Sequence, residues 1–164
     1  MLRARAIAGD PELGWDFEML IDGLRYPEHG LDETGLREIR RIKARVESER
    51  LPRGANPALH LKLGPGGISD VEWTVQLAQL QSAGRLQPLR QTATLLTLRQ
   101  MVILKLVDEA DAELLQAAWL LASRIRNHLL LVTGKASDQL PGVSPELRRL
   151  AFSLGFTDGN ELTE

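Results

Sequence analysis

Apolar residues recur every three or four positions over most of the chain, which is the spacing of one face of an α-helix. Segments rich in glycine and proline separate these stretches. The pattern predicts an all-α fold, a helical bundle of about six helices with one long central helix. The predicted helices cover residues 10–25, 32–50, a stretch that opens at residue 69, 94–106, 108–132 and 144–154.

The helix ends carry recognisable capping residues. Asp10-Pro11-Glu12 opens the first helix with a capping aspartate, a proline at the first helical position and an acid at the positive end of the dipole. Ser144 opens the sixth in the same way, and Gly155 stops it. We expect the tail, residues 157–164, to be frayed.

The first and third helices differ in how their apolar residues are distributed. In the first, apolar residues recur at helical spacing, at Leu13, Phe17, Leu20, Ile21 and Leu24. The third is apolar around most of its circumference, which predicts a central position with Trp73 in the core.

The second helix has a narrow apolar stripe and is otherwise dense in charge, with five basic residues between Arg37 and Arg45. A solvated face with local charge pairs explains this pattern. The alternative is a basic face that meets a partner or a nucleotide.

Composition narrows the possible functions. The chain of 164 residues is 43% apolar and 4% aromatic, has a formal charge of -2 and contains no cysteine. The small negative charge argues against a dedicated nucleic-acid-binding protein. No apolar run approaches the length that spans a bilayer, so we expect no membrane contact and a cytoplasmic location. The three histidines lack the spacing of metal ligands, and we assign neither metal-binding nor catalytic residues.

One segment could bind an anion. Lys62 precedes the glycines Gly64, Gly66 and Gly67, and Asp70 follows at the start of the third helix. Glycines allow a ligand to approach the backbone closely, and free amides at a helix start favour a phosphate. We predict that these five residues bind a cofactor. A tight structural turn explains the same residues.

Other polar residues invite structural interpretations. Ser69 and Glu72 have the spacing of a capping box, in which each side chain bonds a backbone donor of the other residue. On the long helix, Arg124, Asn127 and His128 are interpreted as a buried hydrogen-bonding cluster.

The segment Lys62-x-Gly64-x-Gly66-Gly67-Ile68-x-Asp70-Val71-Glu72-Trp73 resembles the signature of the glutamine synthetase adenylyltransferase family. Similar resemblances lie in residues 40–47, 51–54, 126–127 and 137–141. The resemblance implies a helical domain at 10–164 that follows the C-terminal nucleotidyltransferase domain, with residues 1–9 as the end of that domain. Met1 is then expected to lie inside a longer polypeptide.

The resemblance also implies an activity. The parent enzyme transfers AMP from ATP, with magnesium, to a tyrosine of glutamine synthetase, and its other half reverses the reaction under control of the PII signalling protein. The expected partners are the neighbouring nucleotidyltransferase domain, glutamine synthetase and PII. The Gly-Ser and paired-aspartate motif of catalysis is absent from this chain, so we expect the chain alone to be inactive and to hold no cofactor.

Two other functions remain open. The chain could be a regulatory module that contacts PII or glutamine synthetase, with a glycine loop that is only structural. It could also be the helical domain of a PII uridylyltransferase, which shares a similar Gly-Gly-hydrophobic-x-Asp element.

Overall fold

The computed structural model describes residues 2–162 and is all-α, which confirms the predicted fold class. Within these residues the chain forms six α-helices and two short 3-10 helices, at Pro57–Leu59 and Gln87–Leu89. The α-helices are α1 (Pro11–Arg25), α2 (Glu33–Arg50), α3 (Ile68–Ser82), α4 (Thr94–Ile103), α5 (Glu109–Thr133) and α6 (Pro145–Leu154). None of the helices in the described range is long and apolar enough to cross a membrane.

The predicted caps of α1 and α6 are confirmed. The Asp10 carboxylate accepts hydrogen bonds from the amides of Glu12 and Leu13, at 2.8 and 3.3 Å. The Ser144 hydroxyl accepts one from the amide of Leu147 at 3.2 Å. Gly155 ends α6 with a φ of +92°, a left-handed conformation that glycine adopts without steric penalty.

Helix α4 ends earlier than predicted because the chain turns at a lysine. Lys105 has a φ of +57°, and its amide bonds the carbonyl of Val102 at 2.9 Å. The amide of Leu106 bonds the carbonyl of Met101 at 2.8 Å. These two bonds form the Schellman arrangement that closes a helix. The apolar periodicity continues past Ile103, so the pattern alone could not locate this end.

By internal contacts the chain divides into two compact units. The first comprises Met1–Lys43 and Glu72–Leu114, and the second comprises Ala44–Val71 and Leu115–Glu164. The predicted division at residue 9 concerns the parent protein and stays a prediction. The predicted division also includes Met1, Thr163 and Glu164. These three residues lie outside the described range.

The first unit contains a buried glutamine that holds a loop. Gln79 of α3 is buried, and its Nε2 donates to the carbonyl oxygens of Leu89 and Gln91 at 2.8 and 2.7 Å. These bonds satisfy two carbonyls in the segment that leads into α4. A buried amide with both donors used stabilises a defined loop path.

The prediction that Trp73 lies in the core is wrong. Trp73 is only half-buried and lines a small surface cavity with Ile39 and Leu77. Val75, two positions further along α3, is almost completely buried. On α1, only Ile21 of the apolar residues at helical spacing is buried, while Leu13, Phe17, Leu20 and Leu24 are exposed.

The second unit has a leucine-rich core built on α5 and α6. Its buried members are Ile125, Leu129, Leu140, Leu147, Leu150 and Leu154. Leu162 packs against this cluster, and the Thr157 hydroxyl donates to the Glu161 carboxylate at 2.6 Å. The expectation of a frayed tail is therefore wrong for residues 157–162, and residues 163–164 lie outside the described range.

Candidate functional site

The segment predicted to bind an anion forms a tight turn in the second unit. A Cβ built on Gly64 would lie 2.1 Å from the carbonyl oxygen of Pro57 and 2.6 Å from that of His60. A Cβ on Gly67 would lie 2.9 Å from the carbonyl oxygen of Leu61. All three distances are too short for a side chain, so these two glycines are required by the packing of the backbone on itself.

Gly66 is required for a different reason. Its φ is +73°, in the left-handed region, and nothing lies within 4 Å of a Cβ built there. Side chains other than glycine adopt this conformation at a steric cost. All three glycines therefore have a structural explanation within the turn.

The amides at the start of α3 are occupied, which makes the prediction of free amides wrong. The amides of Ile68, Ser69 and Asp70 donate to the carbonyls of Leu61, Lys62 and Gly67, each at 3.0 Å. An anion at this helix start would find these donors engaged.

A carboxylate of the chain itself lies at the start of α3, where a bound anion was predicted. The Asp70 Oδ2 accepts a hydrogen bond from the amide of Gly66 at 2.8 Å. This carboxylate lies where the helix dipole favours an anion, and it would repel a phosphate placed beside it. Asp70 is thus the residue of α3 that reaches back to bond the turn.

The predicted capping box between Ser69 and Glu72 is wrong. Helix α3 begins at Ile68, so Ser69 lies inside the helix and is buried. The Glu72 Oε1 instead lies 3.1 Å from the Arg3 Nη2, in the first unit. Spacing alone placed the helix start one residue late.

Lys62 is the basic member of the predicted set, and it is exposed. Its side chain lies in solvent, and its carbonyl holds the amide of Ser69. The turn therefore fixes the Lys62 backbone and leaves its charge accessible.

The turn is held by a second segment that the sequence interpretation did not connect with it. The amide of Leu61 donates to the carbonyl of Asp138 at 2.7 Å, and the amide of Leu140 donates to that of Leu59 at 2.9 Å. The Arg126 Nε lies 2.5 Å from the Asp138 Oδ1. The resembling segment 137–141 thus bonds the residues that lead into the glycine turn, and Arg126 bonds that segment, but no sequence signal paired them.

His60 is a further residue that sequence reasoning left without a role. It is buried, forms an isolated antiparallel bridge with Gln139, and accepts a hydrogen bond from the amide of Leu63 through Nδ1 at 3.0 Å. An accepting Nδ1 in a neutral ring places the proton on Nε2. The ring holds the first residues of the turn in place.

An apolar cavity of about 260 Å³ lies beside the turn in the second unit. Its walls come from the turn and from α5, and include Leu59, His60, Gly66, Gly67, Leu121 and Ile125. The apolar lining suits a hydrocarbon side chain better than a phosphate.

The polar cluster predicted on α5 does not form as a buried cluster. Arg124 and Asn127 are exposed, and His128 is half-buried with its Nδ1 3.0 Å from the Ser153 hydroxyl. Within residues 2–162, no three acidic or histidine side chains converge in a way that could hold a metal ion. The described site presents a positive charge at Lys62 beside the turn.

A family model for the GlnD PII-uridylyltransferase matches residues 37–164. The chain belongs to this family. The match includes the glycine turn, the segment around Asp138 and all of α3, α5 and α6.

The chain is also similar to curated proteins whose name differs from the description of the family model. A protein of Mycobacterium marinum is 52% identical over 100% of this chain, and one of Mycobacterium leprae is 51% identical over the same share. One of Streptomyces coelicolor is 52% identical over 98% of it. Each is named a bifunctional glutamine synthetase adenylyltransferase/adenylyl-removing enzyme. The chain spans 16–17% of the length of these relatives.

Proposed function

We propose that this chain is the helical accessory domain of a glutamine synthetase adenylyltransferase. The parent enzyme would transfer AMP from ATP to a tyrosine of glutamine synthetase, and its other half would remove it. The observation that carries this proposal is the 52% identity with an adenylyltransferase over the whole chain. The resemblance of residues 62–73 to the adenylyltransferase signature supports the same function.

A PII uridylyltransferase is the second candidate, because the matching family model carries that description. The identity to adenylyltransferases extends over residues 2–36, which the family model does not match. The continuation Trp73-Thr74-Val75-Gln76 also resembles the adenylyltransferases. Both features favour AMP transfer over UMP transfer.

We assign ATP and magnesium to the catalytic domain rather than to this chain. The turn does not fit a nucleotide phosphate by itself, since its amides are bonded and the Asp70 carboxylate lies beside them. Of the predicted cofactor-binding residues, we propose that Lys62 contacts the nucleotide or the modified tyrosine in the full-length enzyme. Gly64, Gly66, Gly67 and Asp70 would act by holding the turn that presents it.

The proposed partners are the neighbouring nucleotidyltransferase domain, glutamine synthetase and the PII signalling protein, in the cytoplasm. Arg37, Arg41 and Arg45 of α2 lie within 4.0 Å of Glu33, Glu38 and Glu49. These local pairs support the interpretation of α2 as a solvated charged face. Because these arginines already have acidic neighbours on the same helix, their charge does not require a bound nucleotide.

The test offers the full-length protein two substrate pairs. Labelled ATP with glutamine synthetase should give AMP-modified synthetase, while labelled UTP with PII should give no modified PII. The isolated chain should give neither product. UMP transfer to PII would favour the uridylyltransferase, and transfer by the isolated chain would contradict the role of accessory domain.

A substitution tests the proposed role of Lys62. In the full-length enzyme, Lys62→Ala should slow AMP transfer about tenfold, equivalent to about 1.4 kcal/mol of transition-state stabilisation. Lys135→Ala removes the same charge from another exposed lysine of the second unit and should leave the rate unchanged. Normal kinetics in a folded Lys62→Ala enzyme would favour the regulatory interaction module, in which the turn is only structural.

A further inference from the structure

Helix α1 exposes a large apolar surface in the first unit. Leu13, Leu20 and Leu24 are 70, 76 and 70% exposed. The other exposed large apolar side chains of this helix are Trp15, Phe17 and Met19. We call the side chains of these six residues the α1 apolar surface.

This surface has two parts. At 100° per residue, Leu13, Phe17, Leu20 and Leu24 form one contiguous stripe, and Trp15 and Met19 lie on the opposite side of the helix. The face that carries Ile21 and Arg25 is buried. Contiguous exposed apolar patches such as the four-residue stripe mark interaction sites.

The segment before α1 lies along the same helix. The amide of Ala6 donates to the Glu18 Oε1 at 2.9 Å, and the Arg25 Nη1 donates to the carbonyl of Ala4 at 2.7 Å. The Arg3 Nη2 donates to the Thr94 hydroxyl at 2.6 Å. Residues 3–6 are therefore fixed beside α1, so that polypeptide joined to them emerges next to the α1 apolar surface.

Much more polypeptide is present in the relatives, because the matched region is only 17% of the Mycobacterium marinum protein. An occupant from the same chain has a high effective concentration at a surface next to its attachment point. A second copy of the chain has no such advantage.

We infer that the α1 apolar surface packs against the catalytic nucleotidyltransferase domain of the same polypeptide. This inference rests on the proposed function, which supplies that domain. Glu12 and Asp16 are exposed along one edge of the stripe formed by Leu13, Phe17, Leu20 and Leu24. The complementary surface is therefore apolar with basic residues at its edge, and the contact fixes the orientation of the helical domain on the catalytic domain.

The test is photocrosslinking in the full-length protein. A benzophenone amino acid replaces Leu20, and in a matched control it replaces Leu114, which is 70% exposed in the same unit but lies on α5. After irradiation, mass spectrometry identifies the crosslinked peptides. We expect the Leu20 variant to crosslink to the catalytic domain of its own chain at least tenfold more than the Leu114 variant does.

Three outcomes would overturn the inference: crosslinks between two copies, equal yields from both variants, or no crosslink at Leu20. The result is read without nucleotide or glutamine synthetase, so it is independent of the transfer assays. If the full-length protein crosslinks within one chain but modifies PII and not the synthetase, the proposed function fails while the domain contact stands.

A second pair of variants connects the contact with activity. Leu20→Glu places a charge in the α1 apolar surface of the full-length enzyme and should lower AMP transfer at least fivefold. Leu114→Glu is the control and should leave transfer unchanged. Equal rates for the Leu20→Glu and wild-type enzymes would contradict a contact that orients the catalytic domain.

Discussion

The glycine turn before α3 and helix α1 both depart from what their composition suggests, and they do so in opposite ways. The turn has the composition of a ligand-binding loop, yet its amides bond atoms of the chain itself, and its glycines are required by backbone contacts or, at Gly66, by a left-handed φ. Helix α1 has the composition of an ordinary core helix, yet most of its large apolar side chains are exposed.

The two regions differ in how far contacts within their own unit satisfy their polar and apolar groups. The backbone amides of the turn find their hydrogen-bond partners within its own unit, so a structural role is enough to account for its residues. The α1 apolar surface is not satisfied within its unit, so it indicates a missing contact. Substitutions in the two regions should therefore have opposite profiles, with large losses of stability in the turn and small ones on α1.

The largest effect is expected at Gly64. In Gly64→Ala, the new Cβ would lie 2.1 Å from the Pro57 carbonyl oxygen, and only backbone movement could relieve this overlap. We expect a loss of about 3 kcal/mol or more in the free energy of unfolding, measured by denaturant titration of the isolated chain. Gly142→Ala is the control, since nothing lies within 4 Å of its Cβ, and it should be neutral.

A Gly64→Ala protein with the wild-type denaturation midpoint would show that the turn is loose. The comparison would then fail, because a loose turn could rearrange around a ligand.

Two neighbouring residues of α1 provide the next test. Ile21 is 4% exposed, and Ile21→Ala should lower the free energy of unfolding by about 2–3 kcal/mol. Leu20→Ala removes a side chain of similar size from the exposed face and should change it by less than about 0.5 kcal/mol. Thermal and denaturant unfolding of both variants measure the contrast. A large loss in Leu20→Ala would mean that the α1 apolar surface is already covered in the isolated chain.

A smaller effect is expected at Asp70. Asp70→Asn weakens the bond to the Gly66 amide and removes a negative charge from the start of α3. We expect a loss of about 1 kcal/mol, as for other residues that cap a helix start. An increase in stability would indicate that the carboxylate is repelled at this position, and the turn would then be a better candidate for an anion site.

The smallest effect concerns Tyr26, at the end of α1. Burial raises the pKa of its hydroxyl above the ordinary value of 10.0, although the neighbouring Arg25 partly opposes the shift. Tyr26 is the only tyrosine of the chain, so the absorbance of tyrosinate reports it alone. The raised pKa contributes stability that is fully present below pH 10.0 and is lost as the pH rises through the folded-state pKa.

The expected titration midpoint of the folded chain therefore lies above that of the unfolded chain. A midpoint at or below the unfolded value would show that Tyr26 is not buried and that the end of α1 is misplaced.

The sequence was sufficient where structure is determined locally. The caps at Asp10 and Ser144 depend on a side chain and the amides a few residues further on, and both were predicted correctly. The end of α4 was missed because the left-handed conformation of Lys105 has no signal in the apolar pattern.

The site was harder to predict because its bonds connect distant residues. Composition identified the glycine turn but not the carbonyls that occupy its amides, among them that of Leu61. The bond between Leu61 and Asp138 joins residues that only the folded chain brings together. The stripe on α1 was correctly periodic, but periodicity does not reveal whether the core that covers it belongs to the same domain.

The most direct test of this account is a titration of the isolated, isotope-labelled chain with magnesium and ATP, followed by the amide resonances of the turn. If the turn is a structural element, the amides of Gly64 and of residues 66–70 should show no saturable shift, because their hydrogen bonds are already formed within the chain. Saturable shifts confined to Gly66, Gly67 and Ile68 would contradict the account and make the turn a phosphate-binding site.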